Sequence, residues 1–214
     1  MNSKRRILNI ISNAIIVILV AVSIILIFTS RKEATLAEKE KAFVYFTVQS
    51  NLLIGLVSLI SLFVLSIPKI KYGKWLIVLK MVATNAVFLT FAVVMVYLAP
   101  LMGFNKVFIG PNLFMHLITP LLSIANFIIL EPRDELKFYH NIFSIIPPLI
   151  YGIIYFINLA VRDAYGDIKY DWYMFGKYGP GIGSLAFLVV LIISFVATLA
   201  LYYPYRAIKI KKLD

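Results

Sequence analysis

The sequence contains no cysteine, so disulfides, thiolate metal sites and cysteine nucleophiles are all excluded. Charge is scarce as well: charged residues make up 14% of the chain against 62% hydrophobic ones, a ratio that soluble domains do not have. Acidic residues number 10 against 21 lysines and arginines, and there are two histidines. No internal repeat, low-complexity tract or phosphate-binding glycine loop occurs, which argues against a pump driven by nucleotide hydrolysis on its own. The net charge of +11 does not mark a nucleic-acid partner. Its basic residues are spread over the ends of apolar stretches, where snorkelling and anionic headgroups account for them.

What the chain has in abundance is long apolar runs. Crossing about 30 Å of hydrocarbon takes about 20 residues of helix, and six stretches qualify: 7–29, 43–66, 75–99, 111–130, 139–160 and 181–203. A backbone in lipid must satisfy its own hydrogen bonds, and each stretch is too long for a barrel strand, so all six are expected to be helices. The expected fold is an all-α integral membrane protein, one six-helix domain over residues 1–214 with no extramembrane module. The first span follows Lys4, Arg5 and Arg6 like a signal peptide, but its apolar part is too long and lacks a small-residue cleavage site, so it is expected to stay. Twelve of the 21 basic residues fall at the two termini and in the loops 67–74 and 131–138, eight in the opposite loops, and Lys80 lies inside a span. Both termini are therefore expected in the cytoplasm, with the loops containing Glu38, Asn105 and Asp171 outside.

Polar residues within spans cost free energy and demand a reason. In FTVQSNLL, Phe46 to Leu53, the side chains of Thr47, Ser50 and Asn51 fall with Gly55, Ser58 and Ser61 on one helical arc of about 140°, while Gln49 points away. Small and hydroxylated faces of this kind also serve helix packing. The fourth span places His116, Asn112, Thr119, Pro120 and Ser123 on one face, with Asn126 at its edge. Both spans run inward from the outer side, and Thr47 and His116 each lie about five residues in, about 7 Å below the boundary. In the fifth span Ser144, Tyr151, Tyr155, Asn158 and Arg162 recur at helical spacing, so Asn158 and Arg162 reach the same outer layer. Arg162 suits a carboxylate, or anchors the helix at the interface. Pro147 and Pro148 predict a kink there. The other histidine, His140, sits almost a bilayer away, and the spans carry no carboxylate, so no metal site is expected.

FTVQSNLL followed by HLITPLL, Phe46 to Leu53 and His116 to Leu122, resembles the six-span androgen-induced-gene family, which includes the androgen-dependent regulator of tissue-factor-pathway inhibitor, and especially its bacterial relatives. The resemblance implies a multi-pass protein of the bacterial plasma membrane. It also implies a threonine-dependent hydrolase of lipid carboxylic esters, such as fatty-acid esters of hydroxy fatty acids, that uses no cofactor. The family's catalytic threonine falls on Thr47 and its histidine on His116. With that chemistry, Ser50 and Asn51 are candidates to bind the developing oxyanion or orient His116. Asn112, Tyr155, Asn158 and Arg162 are candidates to hold the lipid substrate. The loop AYGDIKYDWYMFGKYG, Ala164 to Gly179, is not covered by the resemblance. A small transporter or a lipid-binding scaffold is the competing class, since polar faces also line transport pathways.

Overall fold

Residues 2–29, 39–134, 136–167 and 169–208 are described in a computed structural model; Glu38 and the end of the basic tail lie outside them. Six helices are long and apolar enough to cross a membrane: α1 (Ser3–Thr29), α2 (Phe46–Ser66), α3 (Lys74–Leu98), α4 (Pro111–Leu130), α5 (Phe138–Arg162) and α6 (Pro180–Ala207). Among the described residues there is no strand, and the chain is an all-α, multi-pass membrane protein. Each helix ends within a few residues of the apolar run that foretold it. The start of α1 and the end of α6 lie at one end of the bundle, here the terminal end, and the end of α1 and the starts of α2, α4 and α6 lie at the opposite, distal end.

The third helix is the hub, packed on α2, α4, α5 and α6, while α1 lies against α2 and α4. Large apolar side chains such as Ile18, Phe63, Val96, Ile154 and Leu185 point outwards, the arrangement a lipid solvent requires. Exposed Trp75 and Tyr139 near the terminal end, and Tyr97 and Tyr178 near the distal end, mark two aromatic belts. Gly55 brings α1 and α2 together: a β-carbon there would stand 3.0 Å from Val20 Cγ1.

Proline decides where the helices depart from α geometry. Three π-helical turns, Val94–Leu98, Phe114–Ile118 and Asn126–Leu130, each precede a proline, namely Pro100, Pro120 and Pro132. A proline has no N–H for the carbonyl four residues back, and its ring crowds that carbonyl, so the preceding turn widens. In α5 the segment Phe138–Ile145 is 3₁₀-wound and α geometry starts at Ile146, with Pro147 and Pro148 in its first turn. The expected kink is thus a change of helix type. Side chains take two of the carbonyls that proline leaves free. Arg133 donates to Ile128 O, and the Asn85 amide donates to Ser144 O at 3.2 Å.

Candidate functional site

Thr47 lies in the first turn of α2, half-buried at the distal end, and its hydroxyl makes no hydrogen bond among the described residues. It lines a cavity of about 90 Å³ whose other walls, apart from Thr90, are apolar and aromatic, including Leu89, Val93, Leu98, Pro148, Tyr151 and Phe187. Those walls come from α2, α3, α5, α6 and the loop that carries Tyr173 and Phe175. The π-turn of α3 supplies Val94 and Leu98.

His116 sits in the middle of the π-turn of α4, buried. Its Nδ1 is 2.8 Å from the carbonyl of Val107. A carbonyl only accepts, so Nδ1 carries the hydrogen and Nε2 keeps a lone pair, the tautomer a general base needs. Pro120 also deprives the His116 carbonyl of its usual helical donor.

The two residues stand on adjacent helices, but the structure does not bring them into hydrogen-bond contact, and His116 does not line the cavity beside Thr47. What joins their segments is Asn51, whose amide donates to Thr47 O at 2.8 Å and to Met115 O at 3.2 Å. Ser50 lies 3.0 Å from Thr47 O and 3.0 Å from the Thr90 hydroxyl. Both Asn51 donors are therefore committed to main-chain carbonyls. Asn51 suits the orienting role foreseen for it and, in this arrangement, not that of an oxyanion donor.

The candidate substrate residues separate into two places, Asn112 on α4 and the other three on α5. Asn112 is buried at the start of α4, a segment packed on α1, and its amide nitrogen has no partner. Tyr155 is buried and donates its hydroxyl to Asp171. Asn158 and Tyr155 line a second opening of about 240 Å³, between α5 and the start of α2, with Phe43, Gln49, Tyr151 and Trp172. For Asn158, the amide oxygen accepts from Arg162 Nε at 3.0 Å, while the amide nitrogen is unpartnered. Arg162 is exposed, with its guanidinium 4.7 Å from the ring centre of Tyr170. Tyr151 walls both openings.

The loop Ala164 to Gly179 organises this end. Asp171 is buried, accepts from the backbone N–H groups of Gly166 and Gly176 at 2.9 and 2.8 Å, and receives the Tyr155 hydroxyl. So pinned, the loop places Tyr173 over α2, where its hydroxyl accepts from Phe46 N–H at 3.1 Å and occupies an otherwise free helix N-terminus. Burial pushes the Tyr173 hydroxyl up to about 12, so it stays neutral and able to serve as this cap.

A second polar cluster, to which the sequence reading assigned no role, lies in the half of the bundle towards the terminal end. Lys80 is fully buried and donates to Asn13 Oδ1 at 2.5 Å and Ser58 Oγ at 2.7 Å. Glu131, counted by sequence among loop residues, is also fully buried, which corrects the expectation of an interior without carboxylates. The signal was available: Lys80 is the one cation deep in a span, and Asn9 and Asn13 stand one helical turn apart in α1.

No family model, curated protein or solved structure matches the chain.

Proposed function

We propose that the chain is an intramembrane hydrolase of lipid carboxylic esters, with Thr47 as nucleophile and His116 as general base. The observation that carries the reading is the placement of the Thr47 hydroxyl, without a partner among the described residues, in a mostly apolar cavity at the distal end of the bundle. An acyl chain fits such walls, and the ester carbonyl would lie at the level of Thr47. The free lone pair on Nε2 of His116, one helix away, is the second support.

In this chemistry Thr47 Oγ attacks the ester carbonyl and passes its proton to His116 Nε2. The alkoxide then leaves with that proton, and water attacks the acyl-threonine with the imidazole again as base. The pair must close from its resting separation, as catalytic hydrogen bonds commonly do on substrate binding. A π-turn whose His116 carbonyl lacks a helical donor gives α4 slack at that point. A free carboxylate on the lipid would lie in the neighbouring opening, against the Asn158 amide and Arg162.

Turnover of a panel of lipid esters by detergent-purified protein tests the reading. Thr47→Ala and His116→Ala should each abolish most of it, because members of one proton-transfer unit fail together. Turnover by Thr47→Ala equal to that of the wild type would refute the assignment. A second reading, a small transporter, draws on the fully buried Lys80 and Glu131, since ionisable groups inside a membrane mark transport pathways. Substrate-dependent uptake into vesicles without ester turnover would select it.

A further inference from the structure

The cluster around Glu131 is short of hydrogen-bond donors in one place. The carboxyl Oε2 accepts from the Tyr72 hydroxyl at 2.6 Å, and because that hydroxyl proton is spent on Glu131, Ser61 must be the donor in its own 3.0 Å contact with Tyr72. Oε1 has no partner. The amide oxygen of Asn126 is equally orphaned, although its nitrogen donates to Asn9 Oδ1 at 2.9 Å. Asn126 and Glu131 are joined through the backbone, Glu131 N–H to Asn126 O at 3.1 Å, across the last π-turn of α4. Glu131 Oε1 and Asn126 Oδ1 thus stand one turn apart on the same helix, and neither accepts a hydrogen bond from the described residues. A buried acceptor left bare costs free energy, and here two stand together.

The charges nearby do not fill the gap. Among the described residues no carboxylate lies within ion-pair distance of Lys80, whose hydrogen bonds go to neutral oxygens on α1 and α2. Asn13 donates to Asn9 Oδ1 at 2.7 Å, so the ammonium is tied into the polar residues of α1 and does not touch the carboxyl. Arg5 donates to the carbonyls of Leu130 and Glu131, and Arg133 to those of Tyr205 and Ile128, while Arg133 Nε is buried without a partner among the described residues. Neither guanidinium donates a hydrogen bond to the Glu131 side chain; they cap main-chain carbonyls at the end of α4 and, for Arg133, of α6 as well.

We infer that Glu131 is a proton-binding site: its carboxyl takes up one proton from the aqueous phase at the terminal end, and the resulting O–H donates to Asn126 Oδ1. The proton turns one orphaned acceptor into a donor and supplies the other with its partner, satisfying both at once. It also removes a negative charge from a fully buried position. The route from water is short, because Tyr72, Pro132 and Arg133 beside the carboxyl are only partly buried and Asp134 is exposed. Burial pushes the Glu131 carboxyl upward, against the opposing pull of Lys80 first, then of Tyr72, Asn9 and Arg5. Tyr205 from α6 and Arg133 complete the titratable groups that face it. The charge of Lys80, held by Asn13 and Ser58, favours the ionised carboxyl and so opposes the protonation. The site is independent of the distal cavity and of any ester chemistry there.

Infrared difference titration of the full chain in zwitterionic vesicles tests the site. A protonated-carboxyl band should persist above the pH at which ordinary glutamates have ionised, and it should vanish in Glu131→Gln. Lys80→Met, which keeps the length and removes the charge, should move the loss of the band to higher pH by about one unit, because an opposite charge favours the ionised carboxyl. Tyr72→Phe should move it in the same direction and serves as the second probe if Lys80→Met does not fold. A network that only ties helices together would lower the melting temperature of these variants without moving the midpoint. No band lost in Glu131→Gln, or a midpoint unmoved by the folded variants, overturns the inference.

Discussion

The side-chain amide of Asn51 stands 3.2 Å from the carbonyl of Met115, and in donating to it ties α2 to the π-turn of α4 that holds His116. The same amide grips Thr47 O, so one side chain controls the relative placement of the two residues proposed for catalysis. Hydrogen bonds across membrane helices work best where the alternative is a bare polar group in hydrocarbon, and Asn51 is fully buried.

Replacing Asn51 by leucine should therefore cost about 1 kcal/mol of stability, the usual worth of an interhelical hydrogen bond in a membrane. Denaturant-induced unfolding in mixed micelles would read it. The turnover proposed for Thr47 should fall by more than the unfolded fraction explains, because α4 loses its tether at Met115. A midpoint and a turnover both equal to those of the wild type would show that this bridge holds nothing in place.

Removing only the Tyr173 hydroxyl leaves the aromatic cluster at the distal end intact but uncaps α2. Tyr173→Phe should cost about 1 kcal/mol, the worth of a helix cap, and speed amide hydrogen exchange at Phe46. Asp171→Ala should act more broadly. It frees Gly166 and Gly176 N–H and the Tyr155 hydroxyl together, so protease nicking within Ala164 to Gly179 should appear in this variant and not in Tyr173→Phe.

The six helices were legible because lipid enforces one rule, a continuous apolar run of fixed length, and nothing else in the sequence competes with it. The polar arc of α2 was legible for the same reason: Ser50, Asn51, Ser58 and Ser61 are buried as its periodicity required, and Gln49 is exposed and donates to Phe43 O. Partnerships between helices were not legible. Depth alone placed Thr47 and His116 at one level, but the rotation of α4 about its axis is set by π-turns ahead of Pro120 and Pro132, which periodicity at 100° per residue ignores. Glu131 was hidden by its position at a span end, where only the capping of α4 by Arg5 and Arg133 reveals that the carboxyl folds inward. Asp171 sat in a polar loop that gave no sign of wrapping around a carboxylate.

Orientation in the membrane rests on charge, and the absence of native cysteine makes it directly measurable. Asn105 and Lys69 are both exposed, at the distal and terminal ends respectively. In intact cells a cysteine replacing Asn105 should react with a membrane-impermeant maleimide, and one replacing Lys69 only after permeabilisation. The reverse pattern would put the cavity beside Thr47 on the cytoplasmic side.

Phe187 lines that cavity, and Gly152 on α5 gives a way to move it without touching Thr47 or His116. A β-carbon at Gly152 would stand 1.8 Å from Phe187 Cζ and 2.1 Å from Cε2, so the ring has to swing aside. Phe187 already lines the cavity, and displacement towards Thr47 removes space from a void of about 90 Å³. Gly152→Ala should then lower kcat/KM about tenfold for long-chain esters, the low end of what one methylene group commands in an apolar pocket. Esters with short acyl chains, which need less of the cavity, should lose less. Phe187→Ala in the same chain returns the space and should restore the long-chain substrates. If chain-length preference stays fixed through both changes, the acyl group does not lie in this cavity, and the Thr47 assignment loses its main structural support.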